Sequence, residues 1–174
     1  LELVGSLPKT VARLKAGESF TIGIGGDSIS TGLDASALSK AAPNQPGYAD
    51  LVMAQLQAKF DCRVTLKNRA VGGWSVANGV TDLDKLLAEK PNLIVVAYGM
   101  NDVGRRDPKW FGEQTQKILE RIKAADKDIE VILVAPMLGN SEWTATPREM
   151  FPKYRDELKR LAGPGVALAD VTAI

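Results

Sequence analysis

Five short runs rich in apolar and β-branched residues recur along the chain, at 20–25, 62–68, 92–98, 129–135 and 166–170. Runs of this length suit strands rather than helices. Each gap between them holds a segment whose apolar residues recur at helical spacing. Segment 47–60 aligns Tyr48, Leu51, Val52, Leu56 and Phe60, and segment 82–89 carries Leu83, Leu86 and Leu87. Segment 108–125 opens on a proline suited to a helix start and carries Phe111, Ile118, Leu119 and Ile122. Segment 147–162 offers Met150, Tyr154, Leu158 and Leu161, and a leading helix is expected at 8–15. Strict alternation of strand and helix implies right-handed βαβ units and a parallel sheet. Leu93–Ala97 and residues 131–135 are almost wholly apolar, as strands covered on both faces must be. The expectation is one three-layer α/β/α domain.

The 174 residues suffice for one such core, and neither repeat nor linker interrupts them. A net charge of +1 with no basic block gives nucleic acid nothing to hold. No apolar run reaches the roughly 18 residues of a membrane span. Cys62 is the only cysteine, so no internal disulfide forms, and a small buried hydrophobe is its expected role. Compartment and oligomeric state stay open, secretion or a periplasmic location included. The start at Leu1 and the close at Ile174 lead to the expectation that the chain was cut from a longer one.

In parallel α/β sheets ligands sit beyond the carboxyl ends of the strands. Here those ends carry Gly26-Asp27-Ser28-Ile29-Ser30, Asn68-Arg69-Ala70-Val71-Gly72-Gly73-Trp74-Ser75, Gly99-Met100-Asn101-Asp102 and Pro136-Met137-Leu138-Gly139-Asn140. Ser28 can project its hydroxyl from a tight turn as a nucleophile, or merely cap the next helix. Gly72-Gly73 can turn a backbone N–H toward an anion, or serve as a hinge. Asn101 can aim its NH₂ at the same point, or form a turn. Asp102 can hold its loop by accepting backbone N–H groups, a support rather than a catalyst.

Taken together, Gly-Asp-Ser after strand one, Asn-x-Ala-x-Gly-Gly after strand two and Gly-x-Asn-Asp after strand three resemble the first three sequence blocks of the SGNH/GDSL hydrolases. The resemblance spans residues 21–170. It implies a flavodoxin-like sandwich with a five-stranded parallel sheet and a serine esterase acting on small acyl, preferably acetyl, esters. Ser28 is then the nucleophile. The N–H groups of Ser28 and Gly73, with the Asn101 side chain, form the oxyanion hole. Asp27 and Asp102 support it, while Trp74 and Asn140 are candidate contacts to substrate, an acetylated sugar being favoured, with packing for Trp74 and a turn for Asn140 as the alternatives. No cofactor is implied.

The family's last block, Asp-x-x-His, has no counterpart, because the sequence contains no histidine. Asp170 ends the fifth run and is assigned a turn role, not the triad. The chain is therefore expected to be a single domain, 1–174, without the histidine block and closing helix, and nearly inactive by itself. A non-catalytic carbohydrate-binding pseudoenzyme, and a lysophospholipase or thioesterase, are the alternatives weighed. A dinucleotide site is disfavoured because Ser28 replaces the third glycine of its fingerprint and Asn68 replaces its ribose-binding acid. Metal sites are not expected with no His and one Cys.

Overall fold

The structure, a computed structural model, describes residues 4–174. Five strands, β1 (Phe20–Gly26), β2 (Val64–Asn68), β3 (Leu93–Ala97), β4 (Glu130–Val134) and β5 (Val166–Ala169), form one sheet in the order β2-β1-β3-β4-β5. Every pairing is parallel. This is the flavodoxin-like order expected above. Its switch point lies between β1 and β3, where the chain leaves in opposite directions and opens a crevice.

Helices cover both faces. α1 (Pro8–Lys15) and α2 (Tyr48–Phe60) belong to one side, with α3 (Val76–Ala88), α4 (Pro108–Ala125) and α5 (Phe151–Leu161) on the other. Because side chains alternate along a strand, Ile94, Val96, Val131, Leu133 and Leu168 join the three-helix core, while Ile22, Ile24, Leu93 and Val95 face the pair. On the three-helix side α3 lies close to β1, since Cβ atoms at Gly23 and Gly25 would press on Leu86, Pro91 and the Tyr98 hydroxyl. Gly79 of α3 is required for the same reason, as a Cβ there would overlap the Tyr98 ring.

Two expectations shift. The helix anticipated at 82–89 begins at Val76. Its first turn lacks apolar periodicity, and Asn78 Oδ1 instead holds the Ser75 N–H at 2.9 Å to start the helix. The stripe expected on α2 is only partly covered: Ala49 is its one buried residue, and Val52 is 46% exposed. Short 3₁₀ turns at Val103–Arg105 and Arg148–Met150 were not expected. Cys62 is buried as anticipated, but it precedes β2 rather than lying in it.

Candidate active site

The loop after β1 turns at Asp27, which is almost fully buried. Its carboxylate accepts the Ile29 N–H at 3.0 Å, and its carbonyl accepts the N–H groups of Ser30 and Thr31. Burial pushes the Asp27 carboxyl above its usual range, against the pull of the Ile29 N–H and its own backbone N–H. The turn presents Ser28 half-buried at the crevice, and no hydrogen bond to its hydroxyl occurs among the described residues. Beneath it Ser30 Oγ pairs with Tyr48 Oη at 2.8 Å, and Asn68 donates to the Ser30 carbonyl at 2.7 Å. These bonds tie the turn to α2 and to the end of β2.

The loop after β2 runs back along β1, with Val71 N–H donating to the Gly26 carbonyl. A Cβ at Gly72 would lie 3.9 Å from Ser28 Cβ, so this loop passes directly beside the serine. Gly73 follows with φ +80, a left-handed conformation that favours glycine. On the far side, Asn101 donates one N–H to the Trp74 carbonyl at 2.9 Å. A primary amide has two such hydrogens, so one remains for another acceptor. Gly73 is thus flanked in the chain by residue 72 against Ser28 and residue 74 against Asn101.

Asp102 is buried, and both of its carboxylate oxygens lie 3.1 Å from the Val76 nitrogen at the start of α3. Desolvation raises its pKa to about 6, partly offset by that N–H and reinforced by the negative charge of Asp27.

The remaining predicted residues are placed less centrally. Trp74 is half-buried and packs on the three-helix core. Asn140 uses its carboxamide oxygen to accept the Glu142 N–H at 2.9 Å, which is turn chemistry. Asp170 likewise stabilises a turn, accepting the Ala173 N–H and pairing with Arg155 at 3.1 Å. Trp143 is 51% exposed, whereas Trp110 lies under the Arg105 guanidinium at 3.9 Å.

A cavity of about 40 Å³ opens at the carboxyl ends of β1, β3 and β4, lined by Asp27, Ile29, Ala97, Met100 and Pro136 among others but not by Ser28. Sequence reasoning missed one participant. Tyr154 of α5 reads as part of an apolar stripe, yet its hydroxyl donates to the Asp102 carbonyl at 2.8 Å and accepts the Asp107 N–H at 3.0 Å. The available signal was chemical: a buried tyrosine needs a partner for its hydroxyl.

Residues 24–174 match the GDSL-like Lipase/Acylhydrolase family. The chain belongs to that family. Among solved structures it is similar to TesA, with 25% identity and TM-score 0.61 over 81% of this chain and 72% of that one. It is also similar to a two-domain esterase, CEX, active on acetylated mannans, with 22% identity and TM-score 0.67. That match covers 94% of this chain but only 42% of the esterase. An acetyl-xylooligosaccharide esterase, Axe2 from Geobacillus Stearmophilus, is similar at 20% identity and TM-score 0.65, over 84% of this chain and 73% of its own. No protein of curated function matches the chain significantly. Among the described residues no group of His, Cys, Asp or Glu could hold a metal ion, and no helix is long and apolar enough to cross a membrane.

Proposed function

We propose that this GDSL-family domain carries the nucleophile and oxyanion-binding half of a serine esterase for small acyl esters. The supporting observation is the placement of Gly73 between the loop contact to Ser28 and the Asn101–Trp74 bond. Ser28 Oγ attacks the ester carbonyl, and its proton passes to a general base. The carbonyl oxygen becomes an oxyanion received by the N–H groups of Ser28 and Gly73 and the free N–H of Asn101. Collapse expels the alcohol, which takes back the proton, and leaves an acyl-serine. Water then attacks that ester to release the acid and restore the hydroxyl. Donors placed in advance stabilise the developing charge without reorganising.

The general base is the missing component. None of the 174 residues is a histidine, and the carboxylates of Asp27 and Asp102 already accept the backbone N–H groups of Ile29 and Val76. The base is proposed to come from an Asp-x-x-His segment outside these residues. An uncovered apolar groove of about 440 Å³ between α1, α2 and the sheet supports a further helix packing there.

Acetyl is the favoured acyl group and a carbohydrate the favoured alcohol. Neighbours of the same fold act on acetylated mannans and acetyl-xylooligosaccharides. The lack of histidine favours one second reading, a carbohydrate binder without turnover.

The test is a longer form bearing the histidine segment, assayed on acetylated oligosaccharides. Ser28→Ala should abolish turnover, and Asn101→Ala should lower kcat by ~10²–10³. Sugar binding with no hydrolysis in that form would transfer the case to the binding reading. Wild-type rates in either variant would remove its assigned role.

A further inference from the structure

Asn101 and Asp102 are adjacent in sequence, yet they grip the neighbouring loop at two different points. Asn101 donates to the Trp74 carbonyl, and Asp102 accepts the Val76 N–H through both oxygens. Two peptide units of one short segment are therefore held from a single dipeptide. The second grip is electrostatically favourable, since a carboxylate sits against the positive end of a thirteen-residue helix, α3.

The dipeptide is itself anchored from below. Asp102 and Val103 both donate their N–H groups to the Gly99 carbonyl, at 3.1 and 3.0 Å. The Asp102 carbonyl accepts both the Tyr154 hydroxyl and the Arg105 N–H. Tyr154 has no exposed surface and packs on Phe111 with ring centroids 5.0 Å apart, so its hydroxyl is held by the α4–α5 core. An unbroken series of contacts thus runs from that core through Tyr154 and Asp102 to the start of α3, three residues beyond Gly73.

We propose that Asp102 is a positioning residue: its carboxylate, anchored through Tyr154, sets the Gly73 amide and the Asn101 side chain as one unit. This rests on the reading of Gly73 and Asn101 as oxyanion donors and adds the device that aligns them. Asp102 touches neither Ser28 nor the reacting atoms in this scheme. It acts only through the backbone it holds.

The groups facing this carboxylate are few. Asp27 approaches from the end of β1, Arg105 from the 3₁₀ turn, Tyr98 from the end of β3 and Tyr154 from α5. Burial and Asp27 oppose ionisation, while the backbone N–H groups of Val76 and Gly99, and Arg105, favour it. A carboxylate accepts an N–H more strongly than a neutral acid does, so the grip slackens on protonation.

Amide NMR of the 174-residue chain between pH 4.5 and 8 tests this without requiring turnover. In the native chain the Val76 and Gly73 amides and the Asn101 side-chain NH₂ should shift together, with one midpoint near 6. Asp102→Asn keeps an acceptor for Val76 but removes the charge. Its three signals should lie near their low-pH native positions at every pH and lose the titration. Asp102→Ala should displace all three at every pH. Persistence of the same titration in Asp102→Asn would assign it to Asp27 and overturn the proposal. So would a Val76 signal that titrates while Gly73 and Asn101 stay fixed. Failure of the esterase assay in the longer form, with these shifts intact, would instead count against the reading of the crevice as catalytic.

Discussion

The two faces of the sheet are built from equally apolar strands but finished very differently. On the three-helix side Phe111, Ile118, Ile122, Tyr154 and Leu158 from α4 and α5 are all at most 2% exposed. On the two-helix side the strands are buried, but α1 and α2 bury only Thr10, Leu14 and Ala49. Val52 of α2 and Val11 of α1 remain largely exposed, and both line the groove of about 440 Å³. α1 is held there partly by polar means, the buried Glu130 carboxylate of β4 accepting the N–H groups of Lys9 and Thr10 at 3.1 and 2.7 Å. The difference teaches that apolar patterning selects which residues face the sheet, while burial requires something to pack against. The crevice contacts the finished side through α3 and through Tyr154, whose hydroxyl bonds the Asp102 carbonyl.

The sharpest way to break this comparison is to truncate one aromatic on each face. Phe111→Ala on the finished face should cost about 3–5 kcal/mol in denaturant unfolding, because it leaves a cavity in a packed core. Half-buried Phe60→Ala on the open face should cost far less, since solvent already reaches its site. Equal losses would show that the open face is packed in solution.

A smaller effect of opposite sign is expected from Asp102→Asn. The native carboxyl is raised from the usual 3.8 to about 6, so the folded state binds its proton more tightly than the unfolded chain. That contribution is fully present below pH 3.8 and is lost as pH rises through about 6. The displacement corresponds to roughly 3 kcal/mol at most, so ionised Asp102 burdens the fold at neutral pH. Asparagine should therefore stabilise the chain at pH 7.5 by about 1–3 kcal/mol and lose that advantage at pH 4. No gain at pH 7.5 would mean that the α3 N–H fully repays the burial. Smallest of all, Val52→Ala on the groove wall should change stability by about 0.5 kcal/mol or less.

Much of this was legible beforehand. All five strands fall within or close to the apolar runs, since a strand covered by helices must be apolar along its length. The Ser28, Gly73 and Asn101 blocks could be assigned to strand ends because polar residues and glycines cluster where strands stop. The start of α3 was not legible, because its first turn is held by Asn78 and by the space left for the Tyr98 ring at Gly79 rather than by an apolar stripe. The turn role weighed for Asn140 is visible in the bond its carboxamide oxygen accepts from the Glu142 N–H.

Local spacing by itself determined the fold class, the order of strand and helix, and the chemical types brought to one edge of the sheet, because strand and helix periods are written into neighbouring residues. Only the tertiary structure decided that the 72–74 loop passes between Ser28 and Asn101, that Tyr154 reaches across to Asp102, and that α2 looks onto open space. Those outcomes depend on where distant segments meet, and no short-range pattern encodes the depth of a helix on a sheet or the partner of a buried hydroxyl.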